Sequence, residues 1–396
     1  MTRLFLGNFD FEYSLSSENS RQPTGPVQRM NEELASVWVA VADDGDFIWT
    51  PAAVEEGFFD ELASQGLPVL QAVTELRQID RTIDVCPWGW TDEWRCRADE
   101  HNWRFAAPQQ SVIREVNSRR FSADLERSWG TGITGAAVIR SIDELPPAIG
   151  RIPTGTDRWV VKAEFGMSAR ERMLHSGRVP DESVLNWVRK HLRADGIVLL
   201  EPWVEPVEEA GLQYTVPWSG MPVFEGVVPL LCDSSGVYRG SQFSLDVEAE
   251  LRWMPAIETG MRVARLLKQR GYFGPLGIDA MRYRDTEGAE RIRPLQDINA
   301  RHTMGRLALG LRRLLKPGQY ASWLYARPPA DSPDAPRRWF QKISRQLPAG
   351  VRLVRTSPFL VGNEPVRHFT VVVMAPSAEL RDEVEAKLLN VDRSPI

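Results

Sequence analysis

The stretch RPLQDINARHTMG, residues 293–305, decides the fold together with GPLGIDAM, residues 274–281, just before it. Both stretches are strand-like, and polar side chains lie near their ends: Asp279 in one, and Asp297, Asn299 and Arg301 in the other. Carboxylate and amide oxygens suit Mg²⁺, and a guanidinium suits a phosphate. The alternative is that Asp and Asn at strand ends form turns with their own backbone.

Two upstream stretches favour the nucleotide interpretation. RWVVKAEFGMSARERM, residues 158–173, is an apolar strand ending in Lys162, followed by a loop with Gly166 and Ser168. GIVLLEPWVEPVEEAG, residues 196–211, is a second buried strand with an acidic exit around Trp203. The chain therefore orders a strand lysine, a loop, an acidic strand exit, paired carboxylates and a D-x-N-x-R motif.

That order resembles the ATP-grasp superfamily, and the resemblance runs from about residue 111 to about residue 312. It implies two α+β lobes that hold ATP between them. It also implies that a substrate carboxylate is activated as an acyl phosphate. The fold class expected is α+β and α/β, with an N-terminal Rossmann-like domain and a small C-terminal α/β addition.

The resemblance implies that Lys162 reaches the α and β phosphates of ATP. A lysine on the surface with its stem along apolar neighbours is the alternative. The loop 166–170 would cover the phosphates, and with one glycine it would rely on Ser168 and Arg170 more than on backbone amides.

The segment from Glu201 to Val204 resembles the hinge that binds adenine. Trp203 would pack around the ring, and the amide of Val204 would donate to it because Pro202 has no N–H. Glu208 matches the carboxylate that takes the ribose hydroxyls. Glu205 and Glu209 lie close by in the sequence, and a solvated acidic turn is the alternative for all three.

Two positions depart from the family pattern. A second phosphate-binding lysine is expected near residues 116–126, where this chain has Arg119 and Arg120. Arg120 is predicted to contact phosphate, with bidentate geometry in place of a point charge. Asp297 replaces the usual Glu, and water ligands would compensate for the shorter side chain.

The resemblance assigns Mg²⁺ to Asp279, Asp297 and Asn299, and the acyl phosphate to Arg301. His302 is interpreted as a capping or surface residue in preference to an acid or base. Arg282 is expected near the same cleft. The expected cofactors are thus ATP and Mg²⁺, with one or two ions left open.

Composition is consistent with a water-exposed enzyme of two or three domains. The 396 residues carry a net charge of −5, which argues against bulk nucleic-acid binding. No apolar run approaches a membrane span, and the N-terminus does not read as a signal peptide, so we expect a cytoplasmic location. Three cysteines lack metal-ligand spacing and are interpreted as free thiols.

The organisation predicted is a Rossmann-like domain over 1–110, ATP lobes over 111–195 and 196–312, and a linker with a small C-terminal region over 313–396. Pro146 and Pro147 are expected to stop a short helix, and residues 221–243 to form a hairpin turning at 233–236. Residues 326–338 are expected to form a linker or extended loop, and residues 351–361, 366–374 and 377–389 two strands and a helix. The aromatic run at 86–90 either lines a substrate pocket or packs between domains. The C-terminal region either covers the active site or forms homodimer contacts.

The function expected is an ADP-forming ligase that joins a small-molecule carboxylate to an amine through an acyl phosphate. Two alternatives stay open. One is a phosphotransferase on the same fold that stops at phosphate transfer to a hydroxyl. The other is a nucleotide-binding module without turnover, favoured by the arginines at 119 and 120, by Asp297 and by the glycine-poor loop.

Overall fold

The computed structural model describes residues 2–16, 25–79, 82–167 and 170–389. Its strands are β1 Arg3–Leu6, β2 Phe47–Trp49, β3 Gln71–Val73, β4 Asp84–Pro87, β5 Ala137–Ile139, β6 Arg158–Ala163, β7 Arg172–Ser176, β8 Val198–Pro202, β9 Glu205–Val216, β10 Val223–Cys232, β11 Tyr238–Ser244, β12 Gly274–Arg284, β13 Glu290–Asn299, β14 Tyr320–Ala326, β15 Arg352–Arg355, β16 Leu360–Val361, β17 Glu364–Pro365 and β18 Phe369–Ala375. Its α-helices are α1 Phe11–Leu15, α2 Gly25–Leu34, α3 Phe58–Ser64, α4 Asp92–Glu100, α5 Gln110–Val116, α6 Arg119–Trp129, α7 Leu145–Gly150, α8 Glu182–Asp195, α9 Met254–Gln269, α10 Met304–Gly310, α11 Ala335–Arg345 and α12 Ala378–Leu389.

The N-terminal part is a parallel sheet of order β3-β2-β1-β4 with helices between the strands. Leu4 and Phe5 of β1 point to opposite faces and are both buried, as expected for a strand covered on both faces. This is the Rossmann-like arrangement predicted from the alternation of strands and helices. A turn after β1 leads to α1, and Trp88 directly follows β4. Both α1 and Trp88 line the first cavity described below.

The second sheet has the order β5-β8-β6-β7, and all of its pairings are antiparallel. Lys162 lies near the end of β6 opposite Leu199 of β8, and β8 ends at Pro202. Trp159, Val161 and Leu200 are buried against α8, so the apolar run that precedes Lys162 is core. The sheet thus holds Lys162 and Glu201 on neighbouring strands.

The largest sheet has the order β13-β12-β9-β10-β11-β14-β18-β15. In the β12–β13 ladder, Asp279 is paired with Asp297 and Gly277 with Asn299. Helix α9 packs on one face through Val263, Ala264 and Leu267, which are fully buried. The register therefore fixes the two carboxylates directly opposite each other.

The C-terminal strands belong to this same sheet. β18 pairs with both β14 and β15, and β14 pairs with β11. The elements predicted over residues 351–389 as two strands and a helix thus extend the sheet of the second lobe, with β16 and β17 forming a separate hairpin. The predicted domain boundaries at 110, 195 and 312 stay predictions.

Two predictions about prolines are wrong. Pro146 and Pro147 were expected to stop a helix, but they lie in the first turn of α7. Pro336 lies in the first turn of α11, inside the predicted linker 326–338. Proline is tolerated there because the first amides of a helix have no partner within it. The predicted hairpin turning at 233–236 is confirmed by β10 and β11.

Candidate active site

Two adjoining cavities lie between the second sheet and the large sheet. The first, about 380 Å³, contains Asp279, Asp297, Asn299 and Arg301 in its lining. The second, about 610 Å³, contains Glu201, Trp203, Val204 and Glu208. Lys162, Arg172 and Glu209 line both. The structure therefore brings together most of the predicted site residues from both lobes.

The predicted adenine hinge lines the second cavity. The amide of Trp203 donates to the carbonyl of Arg158 at 2.9 Å. The amide of Val204 donates to no group among the described residues, which leaves it as the donor that the prediction requires. The guanidiniums of Arg158 and Arg172 lie 5.4 and 5.6 Å from the Trp203 ring, within cation–π range.

Glu208, the predicted ribose ligand, is held by two arginines. Arg252 contacts its Oε1 at 2.7 Å, and Arg282 contacts its Oε2 at 3.3 Å. Arg282 also pairs with Glu290 and lines neither cavity, so it adjoins the second cavity only through Glu208. Ribose binding by Glu208 stays a prediction, in which hydroxyls share the carboxylate with these arginines.

Lys162 is part of a buried ion network that no sequence motif indicates. Its Nζ donates to Glu201 Oε2 at 2.6 Å. Arg293 also binds Glu201, at 2.9 and 3.2 Å, and it binds Glu126 of α6 at 2.6 and 2.7 Å. Glu201 therefore orients the lysine through its side chain, whereas the prediction used its backbone.

The charged groups in this network shift the pKa values of its carboxyl groups. Burial opposes ionisation of Glu201, but Arg293 and Lys162 hold its pKa well below its usual range. Burial dominates at Glu126 and raises its pKa to about 7, although Arg293 lowers it. Arg293 thus connects α6, β8 and β13 at the wall of the second cavity.

The predicted metal ligands form a polar chain. Asn299 Nδ2 donates to Asp279 Oδ2 at 3.1 Å, and Arg301 Nη2 donates to Asn299 Oδ1 at 2.9 Å. Burial, followed by the charge of Asp297, raises the pKa of Asp279 to about 7. Two facing carboxylates that disfavour simultaneous ionisation are a suitable site for a cation.

This donor set fits Mg²⁺. It supplies two facing carboxylates, and the Asn299 amide oxygen, which accepts from Arg301, lies beside them. Magnesium commonly takes one or two carboxylates and fills its shell with water and phosphate oxygens. In the described part of the chain no cluster of three or more His, Cys, Asp or Glu residues suits a metal. Binding of Mg²⁺ by Asp279, Asp297 and Asn299, as one ion or two, stays a prediction.

Arg301 is more constrained than predicted. Its Nη1 donates to the His302 carbonyl at 2.7 Å, and its Nη2 is shared between Asn299 and an ion pair with Glu12 of α1. Its Cζ lies 5.4 Å from the Trp88 ring centroid. The terminal nitrogens of the fork are occupied by protein, and the buried Nε has no hydrogen-bond partner among the described residues. The predicted contact of Arg301 with an acyl phosphate stays a prediction.

His302 packs edge-on against Trp38, with the ring centroids 4.9 Å apart, and its amide donates to the Trp88 carbonyl. Burial, then the charges of nearby arginines, lowers its pKa to about 3. The imidazole is therefore neutral at physiological pH. Within the aromatic run at 86–90, Trp88 lines the first cavity and contacts Phe9 and Trp38 of the same predicted domain. Its ring and carbonyl also contact Arg301 and His302, which belong to the predicted second lobe.

Arg119 occupies the place predicted for Arg120. Arg120 is exposed at the start of α6 and lines neither cavity. Arg119 lines the first cavity, donates to the carbonyls of Ala163 and Gly166 at 2.9 and 3.1 Å, and contacts Asp297 at 3.4 Å. The side chain at the first helical position points to the cleft, whereas that at the second points to solvent.

The loop that follows β6 is described in part. Ser168 lies outside the described residues, and so does Ala169. Arg170 is exposed and lines the first cavity, and its amide donates to the Met167 carbonyl at 2.9 Å. Phosphate contact by Ser168 stays a prediction.

Sequence comparison finds a curated relative over half of the chain. No family model matches the chain. Half of the chain, 202 residues, is 27% identical to the butirosin acyl-carrier protein–L-glutamate ligase of Niallia circulans and covers 46% of that protein. The chain thus spans about half the length of the curated relative it matches.

Structural comparison covers nearly the whole chain. N5-carboxyaminoimidazole ribonucleotide synthetase from Thermus thermophilus matches with a TM-score of 0.56 and 14% identity, covering 98% of each chain. The ATP complex of the Aspergillus clavatus synthase matches with a TM-score of 0.55 and 12% identity, over 99% and 98%. The biotin carboxylase domain of Hydrogenobacter thermophilus 2-oxoglutarate carboxylase, with MgADP and bicarbonate, matches with a TM-score of 0.55 and 11% identity, over 98% and 89%. These likenesses confirm the fold class predicted from the sequence.

Proposed function

We propose that this chain, whose fold is that of the ATP-grasp superfamily, is an ADP-forming ligase that joins a carboxylate to an amine through an acyl phosphate. The observation that carries the proposal is the pairing of Asp279 with Asp297 across β12 and β13, in a cavity that shares Lys162 with the hinge-lined cavity. The relative from Niallia circulans supports the class, since its name describes an acyl-carrier-protein–glutamate ligase.

The residues divide by cavity. In the second cavity, Trp203, the Val204 amide and Glu208 bind the nucleoside. Lys162, oriented by Glu201, supplies a positive charge between the two cavities. Asp279, Asp297 and Asn299 would hold Mg²⁺, which when bound neutralises phosphate charge. Arg301 and Arg119 contribute the positive field beside the reacting groups.

The chemistry proceeds in two balanced steps. A substrate carboxylate oxygen attacks the γ phosphorus, the bond to the bridging oxygen breaks, and ADP leaves with the electron pair. The amine nitrogen then attacks the acyl carbon, the carbon–oxygen bond to phosphate breaks, and the departing phosphate takes the proton that the nitrogen loses. Positioning and electrostatic stabilisation perform most of this work, so a general acid or base is not required.

The setting expected for this reaction is the cytoplasm, with small-molecule substrates and no nucleic acid, and a homodimer stays a prediction. None of the helices in the described part of the chain combines the length and apolar character that a bilayer span requires.

The test is an ATP-dependent hydroxamate assay. Hydroxylamine traps acyl phosphates, so the purified protein is incubated with Mg-ATP, hydroxylamine and a panel of carboxylic acids that begins with amino acids and their derivatives. Hydroxamate with equimolar ADP establishes the first step. A new phosphate ester without hydroxamate would establish the phosphotransferase, and ATP binding without ADP release across the panel would contradict the ligase proposal.

A further inference from the structure

Glu12 is a buried carboxylate in the first cavity that the scheme above does not use. It lies on α1, the helix after β1, and its residue is 8% exposed. Its side chain lines the same cavity as Asp279 and Asp297. Charged side chains are rarely buried to this degree without a complete set of partners.

The partners of Glu12 are incomplete. One oxygen, Oε1, forms an ion pair with Arg301 Nη2. The other, Oε2, is buried and accepts no hydrogen bond from any group in the described part of the chain. A buried carboxylate oxygen without a donor costs on the order of 1–3 kcal/mol or more.

Its position relative to the other carboxylates is defined by the polar chain. Asp279 is joined to Asn299, Asn299 to Arg301, and Arg301 to Glu12. Glu12 is therefore three links from the carboxylate pair assigned to Mg²⁺, and on the side of the N-terminal sheet. A group bound there lies next to the site of acyl phosphate formation without competing for the metal ligands.

The surroundings of Glu12 favour a nitrogen donor with an apolar attachment. Lys162 and seven arginines, Arg301 among them, also line this cavity, so a further cation is tolerated only beside a carboxylate. Phe9 and Trp88, whose ring centroids are 4.8 Å apart, line the wall next to Arg301. The carboxylate oxygen accepts from N–H groups, and the aromatic wall accommodates carbon.

We propose that Glu12 binds the amine nucleophile, a primary amine whose N–H groups are donated to Oε2. This inference rests on the proposed function, because it assigns the second substrate of that reaction to a place. Glu12 is thus the specificity residue for the amine, while Arg301 holds it in position.

The test measures amine binding directly. The wild-type protein with Mg-ADP is screened by thermal shift against the standard primary amino acids, ethanolamine and putrescine, each beside its N-acetyl form. Calorimetry then gives the Kd of each amine that binds. We expect at least one free amine to bind, its N-acetyl form not to bind, and Glu12→Gln to raise the Kd at least tenfold.

Glu33→Gln is the matched control. Glu33 is also a buried carboxylate of the N-terminal region, but both of its oxygens are satisfied, by Arg29, Arg367 and His368. Glu33→Gln should alter stability and leave the amine Kd within about twofold. A loss of amine binding in both Glu12→Gln and Glu33→Gln would indicate general destabilisation and overturn the proposal. Equal amine binding by wild type and Glu12→Gln, binding of N-acetyl forms, or no amine bound by wild type would also overturn it.

The two proposals fail separately. If hydroxamate forms but Glu12→Gln binds the amine as wild type does, the amine-site proposal is rejected and the ligase proposal stands. If amine binding depends on Glu12 but no acid gives a hydroxamate, the ligase proposal is rejected and the amine-site proposal stands.

Discussion

Asp279 lies directly opposite Asp297 across the β12–β13 ladder, so the fold forces two carboxylates into one site. Burial and the neighbouring charge raise the pKa of Asp279 to about 7. The metal-free folded protein therefore holds a proton that the unfolded chain, with an ordinary Asp pKa of about 3.9, releases. Stability from this group is greatest at acidic pH and is lost as pH rises through about 7.

Asp279→Asn should stabilise the metal-free protein at high pH. The amide mimics the protonated carboxyl, so we expect a gain of about 2 kcal/mol at pH 8, roughly half of the full linkage value because solvent screens the half-buried group. The gain should shrink toward pH 4.5. Urea unfolding in the presence of a chelator at several pH values measures it, and a difference that is constant with pH would contradict the shifted pKa.

Asp297→Ala with Asn299→Ala should abolish the Mg²⁺ dependence of ATP affinity. The variant loses the contact with Arg119 and the two hydrogen bonds of Asn299, so stability should also fall by about 2 kcal/mol. Calorimetry with ATP, with and without Mg²⁺, and thermal melting measure the two effects. Asp331→Ala, at an exposed position, is the control. If the ATP affinity of the double variant still depended on Mg²⁺, Asp297 and Asn299 would have a purely structural role.

Glu201→Gln should destabilise the protein by about 3 kcal/mol, because it leaves Lys162 and Arg293 with too little negative charge. Adding Lys162→Met should recover part of that loss, and a double-mutant cycle measures the coupling. The lowered pKa of Glu201 adds stability above the ordinary Glu pKa, so the cost of the variant should shrink as pH falls below about 4. Additive effects of the two changes would contradict a shared network.

Arg119→Met should loosen the loop that follows β6. The carbonyls of Ala163 and Gly166 would lose their donors, so backbone hydrogen exchange over residues 163–167 should accelerate and the KM for ATP should rise about tenfold. Arg120→Met distinguishes the two arginines. An equal loss in that variant would restore the original assignment of phosphate binding to Arg120.

The parts of the fold that the sequence predicted are those that depend on local pattern. The apolar run before Lys162 forms a buried strand, and the alternation around Asp279 forms a strand of the large sheet. The D-x-N-x-R spacing places Asp297 and Asn299 on one side of β13, two residues apart, as the period of a strand requires. Register then brought them to Asp279.

The parts that escaped prediction depend on long-range contact. Glu12 and Arg301 are far apart in sequence, and nothing in the local pattern around Glu12 indicates a buried ion pair. The same holds for Arg293 with Glu126 and Glu201. Arg119 and Arg120 could not be separated without the start of α6, which sets the direction of each side chain.

The order of the large sheet governs how the chain can be divided. Because β14 lies between β11 and β18, a fragment ending at residue 312 would uncover the full hydrogen-bonding edge of β11. Unpaired edges of this kind template association between copies. Attempts to express residues 111–312 alone should therefore yield aggregates, and recombination with related enzymes should exchange the segment from β9 to α12 as one block.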